Sequence, residues 1–82
     1  MLYHGRVRDA EALGQMLAQA RLARGLSQRG LAEELGVSQR YIWEMEAGQP
    51  TTYARRLFDF MAATGMSLTA EFDGPDPEPN RG

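Results

Sequence analysis

Residues 27–48 read SQRGLAEELGVSQRYIWEMEAG, and the triplet Ser-Gln-Arg stands in them twice, at Ser27-Gln28-Arg29 and at Ser38-Gln39-Arg40. These are groups for recognition rather than for making bonds. All nine cations of the chain are Arg and none is Lys, so each is a planar fork of donors suited to a phosphate or to the edge of a guanine. Two such forks stand side by side at Arg55-Arg56. The parts of a catalyst are missing. There is one histidine, His4, no cysteine, no metal-ligand spacing and no glycine loop to cradle a phosphate. Glu33 with Glu34, and Glu44 with Glu46, read as solvated or salt-bridged helix carboxylates rather than as an acid–base pair. No enzyme activity, metal site or cofactor is expected.

The chain that must position these groups has 82 residues, enough for one small domain with a marginal core, so a partner subunit is expected to supply part of its stability. Absence of cysteine fits a reducing compartment, and no stretch is apolar enough for a signal peptide or a membrane span. A soluble cytoplasmic protein without a membrane partner is expected. The net charge of −2 conceals an uneven distribution. Residues 1–56 hold eight Arg against six acids, a balance of +2, and residues 57–82 hold one Arg against five acids, a balance of −4. The basic side carries the repeated triplet, which favours an amino-terminal binding surface with an acidic rear.

Apolar spacing and stop signals predict four helices and one strand. Asp9 is a good N-cap for a first helix over residues 10–24, along which Leu13, Met16, Leu17, Ala20 and Ala23 recur at helical spacing and which stops at Gly25. Ser27 starts a second helix, which buries Leu31, Ala32 and Leu35 and ends at Gly36. Ser38 starts a third that ends at Gly48, and Pro50, Thr51 and Thr52 stop the chain and cap a fourth, whose apolar side is Leu57, Phe58, Phe60 and Met61 and which ends near Gly65. The two triplets are therefore successive helix starts across a glycine turn, not a duplicated unit. On the third helix Gln39, Arg40, Trp43, Glu44 and Ala47 fall within an arc of roughly 140°, while Tyr41, Ile42, Met45 and Glu46 fall on the opposite side, so one face is expected to pack and the other is offered outward. This arrangement matches the recognition helix of a helix-turn-helix. After Gly65 the period changes to two, Met66, Leu68, Ala70 and Phe72 alternating with polar residues, as in a short strand.

The organisation expected is an amino-terminal arm at 1–8, a helix-turn-helix domain at 9–66, a strand at 67–72 and a disordered acidic tail at 73–82, where three Pro, two Gly and three acids gather. The fold class is all-α with a single carboxy-terminal strand. Such a strand has no sheet to join, and pairing with its own copy across a twofold axis, through Leu68, Ala70 and Phe72, is the simplest closed solution.

Over residues 12–66 the frame RLARGLSQRGLAEELGVSQRYIWEMEAG resembles the Cro/CI (XRE) family of helix-turn-helix repressors. The resemblance implies four to five helices. It implies that Gln28 touches DNA phosphate, that Ser38, Gln39 and Arg40 read base edges, and that Arg21 bridges to a structural Glu46. The Pro-Thr-Thr start of the fourth helix, followed by Gly-Met-Ser-Leu-Thr-Ala-Glu-Phe, is similar to HipB-like antitoxins, in which that strand pairs with its twofold mate. Such proteins repress their own operon and hold a HipA-like kinase toxin. Within this frame Gly30 departs from the family, where a larger residue is usual, at about 1 kcal/mol against Ala.

Arg29, Thr51, Thr52, Arg55 and Arg56 complete the expected phosphate contacts; cations in the first turn of a helix oppose its dipole and are best understood with phosphate nearby. Trp43 admits three readings: a thymine methyl, a neighbouring subunit, or cover for its own helix. Glu44 either accepts from cytosine N4 or holds Arg40 across the i,i+4 spacing. The expected function is a homodimeric repressor on palindromic operator DNA, HipB-like, with a HipA-like kinase as a possible partner. The rival classes are an interaction module with DNA binding secondary, and a stand-alone XRE repressor with no toxin.

Overall fold

The computed structural model describes residues 1–76. In chain order it contains β1 (Leu2–Val7), α1 (Ala10–Ala23), α2 (Gln28–Leu35), α3 (Gln39–Glu46), α4 (Thr52–Thr64) and β2 (Leu68–Asp73). Each helix starts where a short polar side chain accepts the first free backbone N–H. Asp9 accepts from Ala12 at 2.8 Å, Ser27 from Gly30 at 2.9 Å, Ser38 from Tyr41 at 3.1 Å and Thr51 from Ala54 at 3.0 Å. Such a cap is worth about 1 kcal/mol. Gly36 and Gly65 end α2 and α4 in the left-handed region, at φ 71° and 75°, where a side chain is disfavoured. The four predicted helices and the carboxy-terminal strand are all present. Among the described residues no helix is long and apolar enough to cross a membrane.

The strand is not alone. β2 pairs antiparallel with β1, from Leu2 opposite Asp73 to Val7 opposite Leu68, so the segment expected as an arm supplies the missing sheet. Leu68, Ala70 and Phe72 alternate with exposed neighbours and are half-buried within their own chain, Phe72 stacking on Tyr3 with ring centroids 5.4 Å apart. The premise that the strand lacks a partner in its own chain is thereby corrected, while the other edge of β2 carries no strand among the described residues. The tail expected from Asp73 also begins later. Asp73 closes β2, the Gly74 N–H donates to the Met1 carbonyl at 2.9 Å, and the Tyr3 hydroxyl donates to the Pro75 carbonyl at 2.6 Å. Residues 77–82 of that expected tail lie outside the described residues.

α1 is the hub, with α3, α4, β1 and β2 packed on it and α2 packed on α3. The deepest apolar side chains among the described residues are Val7, Ala32, Ile42 and Met61, one each from β1, α2, α3 and α4. α1 contributes a buried glycine instead. A Cβ on Gly14 would strike the backbone of Glu46 and lie 2.8 Å from the Gly48 nitrogen, and one on Gly48 would lie 2.5 Å from the Glu11 Cα. α1 and the end of α3 therefore meet backbone to backbone. Gly48, at φ 68°, both turns the chain and permits that approach.

Candidate nucleic-acid interface

α3 is fixed at its far end by an ion pair reaching from α1. Arg21 Nε donates to Glu46 Oε2 at 2.6 Å and its Nη2 to Glu46 Oε1 at 3.0 Å, while Nη1 donates to the Leu26 carbonyl at 2.7 Å. The side chains are only 10 % and 9 % exposed, and their bidentate geometry is what makes a desolvated pair tolerable. Hydrogen bonding from Arg21, with a smaller contribution from Gln28, holds the Glu46 carboxyl below the ordinary carboxylate range against the opposing effect of burial, and the same pair raises Arg21. One contact thus joins α1, the turn before α2, and α3. Gln28 adds α2 itself, its Nε2 donating to Glu46 Oε1 at 3.1 Å.

From that anchor α3 presents an open face. Gln39, Arg40 and Trp43 are exposed and Glu44 is half-buried. Arg40 Nε donates to Glu44 Oε1 at 3.1 Å, so in the free protein Glu44 holds the Arg40 side chain, one of the two roles its spacing allowed. Trp43 leaves 51 % of its surface in solvent, surface it has to give to a base or to a second protein. Ser38 uses one lone pair of its oxygen as the cap acceptor, and its hydroxyl hydrogen and second lone pair are what it can still offer to a base edge. Gln28, half-buried, is part of the anchor as well as a candidate phosphate contact: one N–H is engaged by Glu46, and its second N–H remains to donate.

The remaining cations flank this face in sequence. Arg29, at the start of α2, lies 3.5 Å from Glu33 with both side chains widely exposed, a pair worth a few tenths of a kcal/mol. Arg55 and Arg56 follow the five-residue link from α3 to α4. Both are exposed, and neither has an ion-pair partner among the described residues. Thr51 caps α4 and Thr52 begins it, so the first turn there carries unsatisfied N–H groups and two cations together. Arrangements of this kind attract an anion.

Two positioning residues were not singled out from sequence. Gly14 sits inside an otherwise well-formed helix, and an isolated helical glycine is the one available signal for a close approach. Val7 is buried, but nothing local in LYHGRV distinguishes a core residue from an apolar one in an arm.

A capped helix-turn-helix whose second helix is anchored at its end and bare on its outer face defines a class of nucleic-acid reader. Residues 12–72 match the family model described as a helix-turn-helix domain, most of the chain, and the protein belongs to that family of DNA-binding regulators. The match takes in most of α1, the other three helices and nearly all of β2, and leaves β1 outside it. No curated protein and no solved structure matches the chain.

Proposed function

We propose that the protein is a sequence-specific repressor that binds a palindromic operator as a homodimer, with one α3 in the major groove of each half-site, and that it is a HipB-like antitoxin acting on its own operon. The observation that carries the DNA-reading part is the contrast along α3: its end is locked by Arg21 and Glu46, while Gln39, Arg40 and Trp43 are exposed, Arg40 steadied by Glu44. Rigid support with an exposed outer face is what base readout requires. In this reading Ser38, Gln39, Arg40 and Trp43 meet base edges, Glu44 positions Arg40, and Gln28, Arg29, Thr51, Thr52, Arg55 and Arg56 meet phosphates. The antitoxin part rests on the similarity of the Pro-Thr-Thr start and the following strand to HipB-like proteins, with a HipA-like kinase as the implied partner.

Positioning and reading separate experimentally, because phosphate contacts act on every duplex and base contacts on one. Gln39→Ala should cost roughly 1 to 3 kcal/mol on a selected operator and little on random DNA, whereas Gln28→Ala should weaken both alike. Equal proportional losses on all duplexes would show the assignment to be wrong. A kinase gene beside this one, and co-purification of its product, test the antitoxin role.

A further inference from the structure

From the apolar groove on α4 we infer that the surface through which two copies of this chain associate is the outer face of α4, centred on Leu57 and Phe60, rather than the strand β2. Tyr53, Leu57, Phe60 and Thr64 recur along α4 at spacings of four, three and four, the period of a seam between two helices. Tyr53 is 77 % exposed and Phe60 67 %, with Leu57 and Met66 also open. Thr64 turns its hydroxyl back to the Phe60 carbonyl at 2.9 Å, so the polar member of the row is satisfied by its own helix. With Arg56 and Met61, the side chains of Tyr53, Leu57, Phe60 and Met66 line an open groove of about 370 Å³.

The adjoining side of α4, about a quarter turn from that row, is already occupied, since Met61 is buried and Ala54 and Phe58 are half-buried. The apolar sector of α4 is therefore wider than one layer covers, and the described residues supply only one layer. The seam period calls for another helix, and an antiparallel second α4 offers the same row, Leu57 of each copy beside Phe60 of the other. Burying the two aromatic rings with Leu57 and Met66 from each copy covers roughly 1,000 Å² in all, the lower limit for a specific interface. β2, in contrast, already has β1 on one edge and its alternate side chains turned into its own domain. This inference rests on the reading of the protein as a dimer and names the surface that reading leaves open.

The test is sedimentation of the full chain without DNA. Wild type is expected to be dimeric at tens of micromolar. Phe60→Glu, at an exposed position, should raise the dimer dissociation constant by more than about tenfold with its helical circular dichroism unchanged, while Leu22→Glu, exposed on α1, should leave it alone. Because the chain has no cysteine, a second measurement is available if Phe60→Glu misfolds: Leu57→Cys and Phe60→Cys chains, mixed, should give a mixed covalent dimer under mild oxidation, and Leu22→Cys mixed with Phe60→Cys should not. A folded Phe60→Glu protein as dimeric as wild type overturns the proposal in favour of a strand-edge contact, and so does a monomeric wild type, which would leave the groove to a different protein. A dimer dissociated by Phe60→Glu whose wild type nevertheless ignores duplex DNA upholds the interface and refutes the regulator.

Discussion

Glu46 is the residue on which the geometry of α3 turns, since its carboxylate receives donors from Arg21 on α1 and from Gln28 on α2. Removing its charge strands a nearly buried guanidinium, so Glu46→Gln should lower unfolding free energy by about 3 kcal/mol at neutral pH. The pair also sets a pH dependence. The folded protein holds this carboxyl below its ordinary value of about 4.3. Its stabilisation is therefore complete above that value and is lost as the pH falls through the lowered one. Thermal melts between pH 6 and 3 should show a steeper acid loss in wild type than in Glu46→Gln. Parallel curves would mean the carboxylate is not the linked group. The resemblance to XRE repressors implied the pairing of Arg21 with Glu46 from position alone; that Gln28 joins it needed coordinates, because the side chains converge from three helices.

At the scale of elements, the amino-terminal segment has changed status from arm to strand. β1 places Val7 in the core, 3 % exposed, and brings Gly5 against α1, where a Cβ would lie 3.3 Å from the Met16 sulfur. Val7→Ala should accordingly cost about 1 to 3 kcal/mol in a denaturant titration, whereas a residue of a mobile arm would cost nothing. A neutral result would return β2 to the state of an unpaired strand. The helix boundaries were legible in advance because their signals are local: a cap accepts an N–H three residues on, and a glycine ends the helix within one turn. β1 was not, since its partner lies at the other end of the domain and its own residues, with a glycine and two polar groups among six, have weak strand preference.

For the whole molecule, an acidic chain binds DNA only if its charge is arranged. Arg29 and Arg40 are partly neutralised by Glu33 and Glu44 across one helical turn, while Arg55 and Arg56 have no such partner among the described residues. The last two should therefore carry a large share of the salt dependence. For six to eight phosphates neutralised by a dimer, log affinity should fall against log salt with a slope of about −5 to −7, and Arg55→Gln with Arg56→Gln should flatten it by about 3 to 4. Arg6→Gln, on the outer face of the sheet, should leave the slope unchanged. Titrations of one duplex at several salt concentrations decide this, and an equal effect from Arg6 would mean that no local basic face exists.

The sequence by itself determined four helices, their caps and the glycine turn between α2 and α3, because each depends on residues within a turn or two of one another; of the side of α3 expected to pack, Ile42 is buried and Tyr41 and Met45 are exposed. Only the tertiary structure decided that β2 has a partner in its own chain, that Gly14 and Gly48 let α1 and α3 touch, and that α4 keeps an apolar row in solvent. Those features depend on which distant surfaces meet, and periodicity along one segment states that a face is apolar without stating what covers it.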